Sequence, residues 1–209
     1  MTIGTSFCKV VFIGESGAGK TTLLHAMLNV KSDPQMTIGC TFRSYEIPNL
    51  SNPVVLHLWD TCGQERFRCL TNTYLRGCKV AVVVIDPQKD ISAQLNSWIP
   101  EVKKHPTVKG SLHSAREAVA ISENLKHCLE EPYLLIVINK IDTVSPENLE
   151  LLKKKFENDN ALFTSAKDKH GVAALLHILC EEGKKKSEFA SIETVTLTPR
   201  STTSSRCCY

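Results

Sequence analysis

No stretch of this chain approaches the roughly 18 consecutive apolar residues of a membrane-spanning helix. Its first residues, MTIGTSFCKV, lack the basic start and long apolar run of a secretory leader, so the body is expected in the cytosol. The chain has nine cysteines, none in the CxxC spacing of a zinc site. Positions 8, 40, 62, 69, 78, 128 and 180 suit small buried hydrophobes in a reducing compartment. Neither sign of charge dominates. Twenty-five basic residues against 22 acidic ones leave a net +3, too little to imply nucleic acid as a partner. Aromatic residues are sparse at 6%, and no internal repeat is present.

What is present is the composition of a folded soluble body, 42% hydrophobic and 22% charged. A length of 209 residues allows one core plus a tail, since single cores hold roughly 100 to 200 residues. Short runs rich in β-branched residues predict strands at 7–13, 41–47, 54–59, 79–85, 133–138 and 161–164, with helical patterns between most of them. That alternation predicts an α/β fold: a mostly parallel six-stranded sheet with helices on both faces. The join from Pro48 to Pro53 is too short for a crossover helix, so the second and third strands should form a hairpin, giving one antiparallel edge strand. Residues 1–182 are expected to form the domain, with an inserted helical segment around 106–131. Residues 183–209, a Lys triplet followed by a Ser/Thr-rich stretch, are expected to form a flexible tether.

Directly after the first predicted strand stand Gly14, Glu15, Ser16, Gly17, Ala18, Gly19, Lys20 and Thr21, followed by Thr22. This is the GxxxxGK[ST] spacing in its strand-loop-helix context. The glycines let backbone amides turn inward on phosphate oxygens, and the following helix N-terminus adds positive potential. Lys20 reaches the outer phosphates, and the Thr21 hydroxyl is a ligand for Mg²⁺. The fifth strand closes on Asn139-Lys140-Ile141-Asp142. The Asp142 carboxylate can accept from both the ring N–H and the exocyclic amine of guanine, a donor pair that adenine does not present. Asn139 and the stem of Lys140 would frame the base. Ser165, Ala166 and Lys167, after the last strand, could offer an amide to the guanine carbonyl.

Residues 59–67, WDTCGQERF, resemble the WDTAGQERF signature of Rab-type small GTPases, with Cys62 in place of alanine. Thr37-Ile38-Gly39-Cys40-Thr41-Phe42 resembles the TIGxxF first switch. The RFR segment at 66–68 and YLRG at 74–77 resemble further Rab landmarks. The resemblance implies a P-loop NTPase fold and a chain that binds GTP and GDP with Mg²⁺, hydrolyses GTP slowly, and cycles on membranes in vesicle trafficking. It implies that Thr37 ligates Mg²⁺ alongside Thr21, that Asp60 holds the metal through water, that the Gly63 amide meets the γ-phosphate, and that Gln64 orients the attacking water. Lys20, Gly63 and Gln64 are then the catalytic set. It further implies an effector surface on Phe42, Trp59 and Tyr74, which read without the resemblance are ordinary half-buried aromatics. The implied partners are effectors, an exchange factor, an activating protein and a prenyl-binding chaperone around a monomer.

Cys207-Cys208-Tyr209 fails the CaaX pattern but resembles the Rab double-geranylgeranyl signal, while Thr2 excludes N-myristoylation. At about 0.8 kcal/mol per buried CH₂, two chains anchor stably where one is marginal. The expected location is the cytosol and the cytoplasmic face of an endomembrane. Lys184 to Lys186 read as a solvated helix end or as attraction to anionic lipid.

The chain departs from the family pattern in several places. The first switch is short and carries no aromatic over residues 30–36, which suggests faster nucleotide release. An insertion precedes the fifth strand. Within residues 114–130, Ala118, Ile121, Leu125 and Cys128 recur at helical spacing and predict an amphipathic helix, either an elaboration or a partner site. Pro100 should kink or end its helix. Cys62 reads as one small residue replacing another, or as a redox handle. A GTP-binding scaffold with little hydrolysis and an ATP-using P-loop enzyme are the competing readings.

Overall fold

The computed structural model describes residues 5–105, 107–108 and 129–191. Its main sheet has the order β2-β3-β1-β4-β7-β8, formed by Ser6–Ile13 (β1), Cys40–Glu46 (β2), Val54–Thr61 (β3), Val80–Ile85 (β4), Tyr133–Ile138 (β7) and Ala161–Phe163 (β8). Every pairing is parallel except that of β2 with β3, where Thr41 faces Asp60 and Phe42 faces Trp59. The expected six strands and the hairpin edge are therefore present, the hairpin closed by the Ile47 amide donating to the Val54 carbonyl at 2.9 Å.

The period-two alternation of the strands sorts their side chains into two cores. Cys8, Val10 and Phe12 of β1 join Val80, Val82 and Val84 of β4 beneath Lys20–Met27 (α1) and Val172–Ser191 (α5). Val11 and Ile13, with Ala81, Val83 and Ile85, pack on the other face against Arg68–Leu75 (α2) and Ile91–Lys103 (α3), whose Trp98 and Val102 are buried. All six residues of β4 are buried, which is why VAVVVI reads as an unbroken apolar run: a central parallel strand is covered on both faces. Among the described residues the remaining α-helix is Pro146–Lys155 (α4), capped by Ser145.

Pro100 does not end its helix. Helix α3 runs through Pro100 to Lys103, because Pro100 and Asn96, whose carbonyl loses its helical donor, both lie on the exposed side while Trp98 and Val102 hold the last turn in the core. Helix α5 continues through Gly183 to Ser191. Gly183 is a close-packing residue, since a Cβ there would sit 2.6 Å from Leu56 Cδ2 and 3.3 Å from Ile47 Cδ1. Ion pairs Lys184–Glu181 (2.8 Å) and Lys185–Glu182 (2.6 Å) add local support to the same turns. The predicted helix at 114–130 lies almost wholly outside the described residues. Its last two residues, Leu129–Glu130, form strand β6, which pairs antiparallel with Thr107–Val108 (β5). Backbone pairing decides the conformation where the insertion returns to the domain.

Among the described residues no helix is long and apolar enough to cross a membrane.

Candidate nucleotide site

The phosphate loop joins β1 to α1 and folds as the glycine spacing requires. Gly19 has φ +91°, and a Cβ there would run into the Asn139 side chain, so a residue without one is needed for both reasons. Lys20 is buried, and its ammonium donates to the Gly14 and Glu15 carbonyls, each at 2.8 Å. Burial lowers its pKa from the ordinary 10.5 to about 8, with the Asp60 carboxylate opposing the shift.

The three residues proposed for the metal come together although they lie far apart in sequence. Thr21 Oγ1 is 2.8 Å from Thr37 Oγ1, and both hydroxyls donate to Asp60 Oδ2, at 2.7 and 3.1 Å. Thr41, facing Asp60 across the hairpin, adds a hydroxyl at 3.4 Å. Asp60 is fully buried and its Oδ1 has no hydrogen-bond partner, an arrangement that is costly for a carboxylate. Two hydroxyls and one carboxylate with a spare oxygen fit a hard divalent cation such as Mg²⁺, which takes few protein ligands and keeps several waters. Groups of three or more His, Cys, Asp or Glu that could hold a metal are absent among the described residues.

A cavity of about 330 Å³ lies here. It is lined by Ser16, Gly17 and Gly19 to Thr22 of the phosphate loop, by Pro34 to Thr37, by Thr61 to Gly63, and by Lys140. Gly63 approaches so closely that a Cβ on it would lie 2.5 Å from Lys20 Nζ, leaving only a backbone amide as its contribution. Cys62 is buried on the cavity wall with its amide donating to the Gly39 carbonyl at 2.8 Å, in keeping with a small replacement residue. Glu15 points outward to Lys89 at 3.1 Å, and Ala18 is buried.

Gln64 does not line the cavity. Its Oε1 accepts from Arg66 Nε at 2.7 Å and its Nε2 donates to Sδ of the cavity-wall residue Met36 at 3.2 Å, so both ends of the amide are engaged. The base loops are held by bonds within the protein. Asn139 is 1% exposed, and its amide is used as a brace: Nδ2 donates to the Ala18 carbonyl at 3.0 Å, while Oδ1 accepts from Thr164 Oγ1 at 3.1 Å and from the Ala166 amide at 3.2 Å. Asn139 thus ties the phosphate loop and the 164–166 segment to its own loop, and the Ala166 N–H is directed to it. Asp142 is exposed and held by Ser165 Oγ at 2.8 Å, with Lys167 exposed beside them. Lys140 takes a left-handed backbone, φ +58°, and pairs with Asp86 at 2.8 Å.

Phe42, Trp59 and Tyr74 form one stripe, with centroids 5.3 Å apart for the first pair and 6.0 Å for the second. His57, 5.2 Å from Phe42, and Phe7, 4.7 Å from His57, extend it along the sheet, and Lys9 sits over the Trp59 ring at 5.0 Å. Sequence reasoning missed Phe7, His57 and Asp86. Asp86 had a signal, since it directly follows a strand whose carboxyl end faces the ligand loops. Cys207 and Cys208 lie outside the described residues.

Phosphate loop, hydroxyl–carboxylate cluster and guanine loop at the carboxyl ends of a parallel sheet define the class, a P-loop GTPase domain. Residues 9–113 match the family model for Roc, the Ras of Complex domain of DAPkinase. Ras-related protein Rab-18-B of Danio rerio is 33% identical over 177 residues, covering 78% of this chain and 86% of that one. Rab-18 of Lymnaea stagnalis is 33% identical over 173 residues (77% and 86%), and Rab-1 of Theileria parva 31% over 134 (59% and 61%). The chain belongs to the Rab family of small GTPases.

Proposed function

We propose that this GTPase works as a membrane-cycling switch in vesicle trafficking, timed by Mg²⁺-dependent hydrolysis at the cavity described above. The convergence of Thr21, Thr37 and Asp60 is the observation that carries this reading. Thr37 belongs to a switch segment and Thr21 to the phosphate loop, so a cation held between them links the two. When bound, Mg²⁺ would neutralise charge on the phosphate oxygens. Lys20 would leave the Gly14 and Glu15 carbonyls for the outer phosphates, and the Gly63 amide would meet the γ-phosphate. Gln64 would orient the attacking water after giving up Met36 and Arg66, a cost consistent with slow unassisted turnover. The phosphate loop and the first switch hold no arginine, so an activating protein would supply one, worth about 10³ to 10⁵ in rate in enzymes of this kind.

Asp142, supported by Ser165, is the proposed reader of guanine. The Phe42–Trp59–Tyr74 stripe is the proposed effector surface, presented by a monomer that also meets an exchange factor and a prenyl-binding chaperone. Cys207 and Cys208 are the proposed lipid sites, giving residence in the cytosol and on the cytoplasmic face of an endomembrane. The experiment loads the protein with GTP and Mg²⁺ and follows phosphate release in single turnover beside Gln64→Leu. Slow release that the substitution abolishes is expected. Tight GTP binding with no release from either protein would move the reading to a scaffold.

A further inference from the structure

Residues 86–90, between β4 and α3, touch both halves of the nucleotide site. On the base side, buried Asp86 holds Lys140 Nζ at 2.8 Å through Oδ2, and its Oδ1 accepts from the Gln88 amide at 3.0 Å. Gln88 Nε2 donates to the Thr143 carbonyl and hydroxyl at 2.9 and 3.0 Å. On the phosphate side, Lys89 Nζ reaches Glu15 Oε2 at 3.1 Å and the Ser16 carbonyl at 3.4 Å. Gln94, 1% exposed on α3, clasps the loop from beneath: its Oε1 accepts from the Asp86 amide at 3.0 Å and its Nε2 donates to the Asp86 carbonyl at 2.9 Å.

We infer that this loop is a positioning clamp which fixes the guanine loop against the phosphate loop and thereby sets how long a guanine nucleotide stays bound. The inference rests on the guanine-nucleotide reading of the site. Lys140 lines the cavity, and its Cε passes 3.9 Å from where a Gly19 Cβ would stand, so its stem lies beside the phosphate loop. A free lysine would sample many rotamers there. Asp86 holds the ammonium in place before a nucleotide arrives, and a pre-ordered wall loses less entropy on binding. The pairing of a buried carboxylate carries this effect, whereas the exposed Lys89–Glu15 pair alone contributes little and acts as a tether. Its members are positioning residues and touch no reacting atom.

The test uses the full chain loaded with a fluorescent GDP analogue and Mg²⁺, chased with excess GDP. Asp86→Asn is expected to speed release about ten- to hundredfold, the range of a charge-assisted bond. Lys140→Ala should do the same, and the double variant should be no faster than the faster single one. Lys89→Ala should accelerate release a few-fold and Lys89→Arg should restore it. Hydrolysis of GTP already bound to Asp86→Asn should change less than about twofold, a split that general loosening of the fold would not produce. Unchanged release from Asp86→Asn, or strictly additive effects with Lys140→Ala, overturns the clamp. A parent protein that fails to retain GDP overturns the guanine reading instead. Should Asp86→Asn not fold, exposed Gln88→Ala and Lys89→Ala decide: faster release upholds the clamp and unchanged release overturns it.

Discussion

The Thr21 and Thr37 hydroxyls, sixteen residues apart in sequence, lie 2.8 Å from one another and share the buried Asp60 carboxylate. Thr37 comes from a segment with little packing of its own, flanked by Met36 at 73% and Ile38 at 82% exposure. Its position therefore depends on this polar contact.

Removing that hydroxyl should uncouple the first switch from the metal. Thr37→Ala is expected to weaken Mg²⁺-dependent GTP binding about tenfold, the loss of one charge-assisted contact, while GDP affinity changes by less than about threefold. Titration of both nucleotides with and without Mg²⁺ reads the difference. Equal losses for GTP and GDP would refute the coupling.

Asn139 makes three buried bonds to two other loops, so Asn139→Ala leaves the Ala18 carbonyl, the Thr164 hydroxyl and the Ala166 amide with one partner fewer. A stability loss of about 2 to 4 kcal/mol is expected from unsatisfied buried groups. Urea unfolding of the nucleotide-free protein measures it. A loss seen only with nucleotide present would assign the effect to base contact instead of the brace.

Gly183 sets helix propensity against packing. Alanine there would gain roughly 1 kcal/mol of propensity and lose a similar amount by crowding Leu56, so Gly183→Ala should be near neutral. Gly183→Val adds more bulk against Leu56 and Ile47 and should cost about 2 kcal/mol, lowering the melting temperature by roughly 4 to 8 °C. A valine variant melting with the parent would mean that this part of α5 is not packed on the sheet.

Burial pushes the Cys8 and Cys78 thiols from 9 up to about 12. As pH rises past 9 the unfolded chain releases these protons first, so it binds fewer than the folded chain and stability falls. The contribution is fully present below 9 and is lost progressively toward 12, by about 1.4 kcal/mol per pH unit for each thiol. Denaturant midpoints for Cys8→Ala and Cys78→Ala should each show a shallower alkaline slope than the parent. Both thiols should also resist alkylation in the folded protein while exposed Cys69 reacts.

Local chemistry made much of this protein legible from sequence. Six strands, the hairpin, the phosphate loop and the guanine loop follow from side-chain alternation, glycine spacing and the donor pattern of a base, none of which needs a distant residue. Tertiary contact decided the rest. Gly183 carries no packing signal until Leu56 is seen against it, and Pro100 reads as a kink or helix end until Trp98 and Val102 are seen holding its last turn. The bracing of two other loops by the Asn139 amide has no sequence signature, and Asp86 carries no motif until Lys140 lies 2.8 Å away. The periodicities that predict strands and helices describe how a segment meets its own neighbours in sequence. A brace, a clamp or a close-packing glycine is defined by what comes to it from elsewhere in the chain, and only folding brings those partners within hydrogen-bond or van der Waals distance.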